Sequence, residues 1–169
     1  RYFKQSEQIV AMVAIAALPG PGGVRAVGGY VVQLLPEATR EVIDAMTDHR
    51  GIAAAVWACR RSTLDREGTP APNGVGAIRR LVAIGPPFVE EIIEYERPTR
   101  YAYKMLSGAP TRNHVGTIQL READTGTEVS WHLRSTLKIP GVDRLMLPVF
   151  KKVIDELLKG GITAAERRA

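Results

Sequence analysis

The chain reads as a single α+β domain in which a curved antiparallel sheet of about seven strands grips a long C-terminal helix and encloses a cavity. Three observations carry that reading. Short strand-like segments follow one another between turn-forming residues from Arg60 to Leu137, which favours hairpins over parallel crossovers. Two short helical stretches stand after the first strand, and one long amphipathic stretch stands at the end. A sheet with one apolar face must be covered, and only the terminal helix is large enough to cover it. Where the sheet curls away from that helix, an internal cavity is left.

The elements run in order as follows. Residues 1–29 form an N-terminal extension: Ile9–Leu18 is an unbroken apolar run, followed by Pro19-Gly20-Pro21-Gly22-Gly23. Ten apolar residues are about half of a membrane span. The run has the length of a signal-peptide apolar region, with Arg1 and Lys4 upstream, but Glu7 in its flank favours a short helix or strand docked on the domain. The domain proper, 30–169, opens with a strand at Tyr30–Leu35, ended by Pro36. Val42, Ile43 and Met46 recur at helical spacing within Glu37–Asp48, and Gly51 marks the break. Alanine content predicts a second short helix at Ile52–Trp57. Six strands are predicted next, at Arg60–Arg66, Gly76–Ile84, Phe88–Glu96, Tyr101–Leu106, His114–Arg121 and Glu128–Leu137. In the last of these Val129, Trp131, Leu133 and Leu137 share one face, against Glu128, Ser130, His132 and Arg134 on the other, so one side is buried and one wet. After Pro140-Gly141 an apolar stripe of helical period runs from Val142 to Leu158, with Pro148 kinking or dividing the helix.

Composition narrows the function classes. A length of 169 residues is one domain, able to bury roughly 70% of its unfolded surface. The single cysteine, Cys59, cannot form an internal disulfide, which accords with a reducing, cytoplasmic setting. The net charge of +5 arises from scattered pairs such as Arg60-Arg61 and Arg79-Arg80, interleaved with glutamates, so no nucleic-acid partner is expected. His49, His114 and His132 lie on different elements with no metal-binding spacing, and Gly74-Val75-Gly76 lacks the context of a dinucleotide loop. No metal and no cofactor are expected, and no membrane span. A homodimer is compatible with the sequence.

Several stretches, taken in order, resemble a known superfamily. They are Pro36-Glu37-Ala38 before a helix ending in Asp48-His49, Gly74–Arg80, and Val89–Pro98 leading into Arg100-Tyr101-Ala102-Tyr103. His114–Ile118 and Gly126–Trp131 complete the set. Over about Tyr30–Leu158 the chain resembles the START-like helix-grip (SRPBCC) superfamily, in its polyketide cyclase/dehydrase-like branch. The resemblance implies the helix-grip fold and a ligand cavity; its members include aromatase/cyclases, lipid carriers and hormone receptors. Ile52–Cys59 is alanine-rich where the family often shows a tryptophan-centred segment, and Trp57 takes that place in shifted register.

Candidate residues follow from which face each occupies. His114 shares a face with Gly116, Ile118 and Leu120; it either lines the cavity, where a near-neutral pKa suits proton transfer, or bonds a neighbouring loop. Arg79 shares a face with Val75, Ala77 and Leu81. If inward it needs a carboxylate or a ligand oxygen, and if outward it is an ordinary surface charge. Of the neighbours Glu90 and Glu91, alternation sends one in, and Glu90 is the one favoured. Tyr101, Tyr103 and Met105 share a face taken as inward, as is Trp131, while Met146 and Phe150 form the opposite wall on the helix. Most such aromatics are plain core. The expected function is binding of an apolar or aromatic small molecule, lipid- or polyketide-like. The alternatives are a cyclase/dehydratase with His114, Arg79 and Tyr103 moving protons, and a non-catalytic protein with a closed core.

Overall fold

A computed structural model describes residues 16–20, 23–28, 31–34, 47–48, 59–83, 85–123, 126–137 and 148. They form nine strands: β1 (Ala16–Gly20), β2 (Gly23–Gly28), β3 (Val31–Leu34), β4 (Arg61–Arg66), β5 (Ile78–Val82), β6 (Phe88–Glu96), β7 (Arg100–Ser107), β8 (Thr111–Ala123) and β9 (Gly126–Leu137). All join one curved antiparallel sheet in the order β1-β2-β9-β8-β7-β6-β5-β4, with β3 also paired to β9. The seven expected strand regions are present as β3 to β9. Within the expected N-terminal extension, residues 16–28 add two more strands to the same sheet. The two short helices and the long C-terminal helix fall outside the described residues, apart from Thr47, Asp48 and Pro148.

β2 and β3 occupy one edge of β9 in a single register. Gly28 faces Leu133 and Val31 faces Ser130, so the two strands act as one line of backbone partners, and β1 folds back on β2 as a hairpin. From β9 to β4 every neighbour in space is a neighbour in sequence, because each turn joins two antiparallel strands.

Side-chain alternation gives the sheet an inner and an outer face. Cross-strand pairing assembles the inner face in rows. Tyr95, Tyr101, Ile118 and Trp131 stand opposite one another across β6 to β9. Ile92, Tyr103, Gly116 and Leu133 form the next row, and Arg79, Glu90 and Met105 a third. Tyr101, Ile92 and Ile118 are fully buried, each contributing roughly 1.5–3 kcal/mol of hydrophobic free energy. The outer face is polar. There Glu91 meets Arg66 at 2.9 Å and Lys104 at 2.7 Å, which together hold its carboxyl below the usual range, Lys104 most of all.

Besides a slip between Leu64 and Arg66 on β4, three bulges break the alternation and re-aim side chains. Between Ile92 and Glu94 the register on β7 slips by one, so Tyr95 rather than Glu94 faces inward. Glu94 then pairs with Arg100 on the other side. Between Arg112 and Val115 a second slip sets Asn113 and His114 against Ser135. Asn113 accommodates it at φ 53°, a left-handed conformation that asparagine tolerates better than most residues. The strand therefore starts at Thr111, ahead of the expected His114. A third slip, between Val89 and Glu90, leaves Leu106 half-exposed.

Gly116 is where two elements come closest. A Cβ there would overlap Cζ and the hydroxyl oxygen of Tyr103, so the tyrosine ring lies against bare backbone. Gly116→Ala is expected to displace that ring and destabilise the fold by about 1–3 kcal/mol, read from urea denaturation. A variant as stable as the parent would show that Tyr103 swings aside freely.

Candidate functional site

Among the described residues, the inner face holds one buried ion pair. Arg79 and Glu90 are each 4% exposed and stand opposite each other on β5 and β6. The Arg79 Nε–H donates to Glu90 Oε1, and its Nη1–H donates to the Thr47 carbonyl at 3.4 Å. Its guanidinium carbon sits 5.3 Å from the ring centre of Tyr101 and 5.7 Å from that of Tyr103, within cation–π range. Burial works against the charge on Arg79, but the neighbouring Glu90 carboxylate outweighs it, with smaller help from the Tyr101 and Tyr103 phenols, and raises its pKa further. A lone buried charge costs several kcal/mol, so each member keeps the other in place.

Tyr103 is the hub of the aromatic cluster. Its ring centre lies 6.3 Å from Tyr101, 6.2 Å from the His114 imidazole and 6.3 Å from Trp131, the last in edge-on contact at 71°. Tyr95 meets Tyr101 edge-on at 6.2 Å. Burial pushes both the Tyr101 and the Tyr103 phenol up, and pulls His114 down to about 4. At neutral pH the phenols stay protonated and His114 stays uncharged.

Four polar atoms in this region are buried with no hydrogen-bond partner: Tyr101 Oη, His114 Nδ1, Trp131 Nε1 and Ser135 Oγ. Each residue is more than nine-tenths buried. Buried polar groups are nearly always matched, so a group of four on one face calls for an explanation.

Seven of the expected site residues share the inner face: Arg79, Glu90, Tyr101, Tyr103, Met105, His114 and Trp131. Met105 is half-buried beside Glu90. Trp57, Met146 and Phe150 lie outside the described residues. Sequence reasoning missed Tyr95 and Ser135. The apolar pair Ile92-Ile93, which interrupts alternation just before Tyr95, was the one visible sign of the first. Ser135 lies two residues beyond Leu133 on the face of Trp131, but its polarity spoke for solvent.

Two measurements check these states. Between pH 6.5 and about 4 the unfolded chain binds a proton at His114 that the folded chain refuses. The histidine's effect is absent above that window, and stability falls as pH drops through it, by about 3 kcal/mol at the acid end. Urea denaturation of His114→Gln should lose that much less stability than the parent on acidification, and parallel curves would refute the assignment. Arg79→Leu, which strands Glu90, is expected to cost about 3–5 kcal/mol. The paired change Arg79→Met with Glu90→Leu should recover most of it in the same assay.

The fold has clear counterparts among solved structures. The crystal structure of Ara h 8.0201 superposes with a TM-score of 0.65 at 14% identity, covering 84% of this chain and 99% of that one. CalU16 from Micromonospora echinospora gives 0.59 at 16% identity, covering 94% and 93%. The di-domain ARO/CYC StfQ of the steffimycin biosynthetic pathway gives 0.70 at 10% identity, covering 85% of this chain and 51% of StfQ. A search of curated protein sequences found no match. The family model described as polyketide cyclase/dehydrase and lipid transport matches residues 32–169, and the chain belongs to that family.

Proposed function

We propose that this protein binds an apolar or aromatic small molecule, lipid- or polyketide-like, against the inner face of the sheet. The observation that carries the proposal is the set of four unpartnered polar atoms on Tyr101, His114, Trp131 and Ser135, buried among aromatic rings. Each unmatched donor or acceptor costs about 1–3 kcal/mol. A ligand that brings oxygen atoms to this face would remove that cost. The lipid transport in the family's description supports the same class of cargo, as does the likeness to the di-domain ARO/CYC StfQ.

A second reading, a cyclase/dehydratase, draws on Tyr103 lying between Arg79 and His114. Efficient general acid–base groups titrate near the working pH. His114 titrates at about 4, while Arg79 and Tyr103 are pushed the other way. Those directions favour binding over proton transfer.

Native mass spectrometry of the purified protein, before and after denaturation, tests the proposal. A released aromatic or acyl compound supports it. Trp131→Phe and Tyr101→Phe, each deleting one hydrogen-bonding group, should then weaken rebinding of that compound by roughly tenfold. A clean apo mass together with no uptake of added aromatic or acyl compounds would return the closed-core reading.

A further inference from the structure

The Arg79–Glu90 pair bears on which ligands the site admits. Resting on the small-molecule reading above, we infer that this pair selects ligand charge: the site takes neutral, carbonyl- or hydroxyl-bearing aromatics and rejects both carboxylates and amines. Among the described residues, Arg79 is the one buried cationic side chain and Glu90 the one buried acidic one. The Arg79 guanidinium is committed to Glu90 and to the Thr47 carbonyl, and its carbon lies within cation–π range of Tyr101 and Tyr103.

An entering carboxylate would have to displace Glu90 or share the face with it, and like charges in a dry site repel strongly. An entering ammonium meets the same difficulty with Arg79, while its natural partner Glu90 is already engaged. Either ion would leave water for a face that has, among the described residues, no free counter-charge, which is costly. The groups left unmatched are of another kind. The Trp131 indole can only donate a hydrogen bond, and the Tyr101 phenol, the Ser135 hydroxyl and the uncharged His114 imidazole are neutral. They suit ketone, quinone and phenol oxygens. Glu90 is therefore a specificity-determining residue that acts by occupying Arg79.

Calorimetry with three probes of one shape tests this: methyl naphthyl ketone, naphthoic acid and naphthylmethylamine, each at neutral pH. The wild type is expected to bind the ketone at least about tenfold tighter than either ion. Glu90→Gln, which removes the Glu90 charge beside Arg79, should gain about tenfold for the acid, and Arg79→Gln should gain similarly for the amine. Circular dichroism verifies the fold of each variant, and the wild-type comparison needs no variant at all. Equal binding of ketone and acid by the wild type would overturn the charge selection alone, as would a folded Glu90→Gln that gains nothing for the acid. Binding of none of the three probes would instead overturn the small-molecule reading on which it rests.

Discussion

A guanidinium taken out of water requires a carboxylate within hydrogen-bond reach, and here that requirement ties β5 to β6. Arg79 meets Glu90 only if the two strands pair in one register, since a slip of one residue would turn either side chain to the outer face. The same register places Ile78 opposite Glu91 and frees Glu91 to meet Arg66 and Lys104 outside. The buried pair thus contributes to uniqueness of pairing as well as to the character of the inner face. Apolar contacts alone specify register less sharply, because one β-branched residue packs nearly as well as the next.

The bulges extend this control along the strands. One extra residue at each slip changes which side chain faces inward without altering the strand's course through the sheet. The slip after Ile92 exchanges a carboxylate for the ring of Tyr95, keeping a second anion off the inner face. The slip at Asn113 sets His114 beside Ser135 at the start of β8. Electrostatic composition and ring stacking on this face therefore depend on single-residue irregularities in an otherwise regular ladder.

Those irregularities explain what the sequence could and could not disclose. The strand order was legible because turn residues punctuate the chain at short intervals, and because the ordered stretches resemble a known superfamily. Trp131 was legible from its company, since Leu133 follows at the same parity. Arg79 against Arg80, and Glu90 against Glu91, were only half-legible: alternation says that one of each pair is inside, and the cross-strand register decides which. Tyr95 was hidden because a bulge is a one-residue event with no compositional signature beyond an apolar doublet. β2 was hidden because residues 23–28 carry two glycines and no strict alternation.

The line formed by β2 and β3 has a consequence for how the domain is delimited. Family similarity begins at residue 32, yet the backbone of β9 from Leu133 to Thr136 finds its partners in Arg25–Gly28. A fragment cut at the similarity boundary would leave that half of β9 as a bare strand edge, open to templating by another chain. Residues upstream of the recognisable domain thus serve as a guard against self-association, a duty that similarity of sequence does not register.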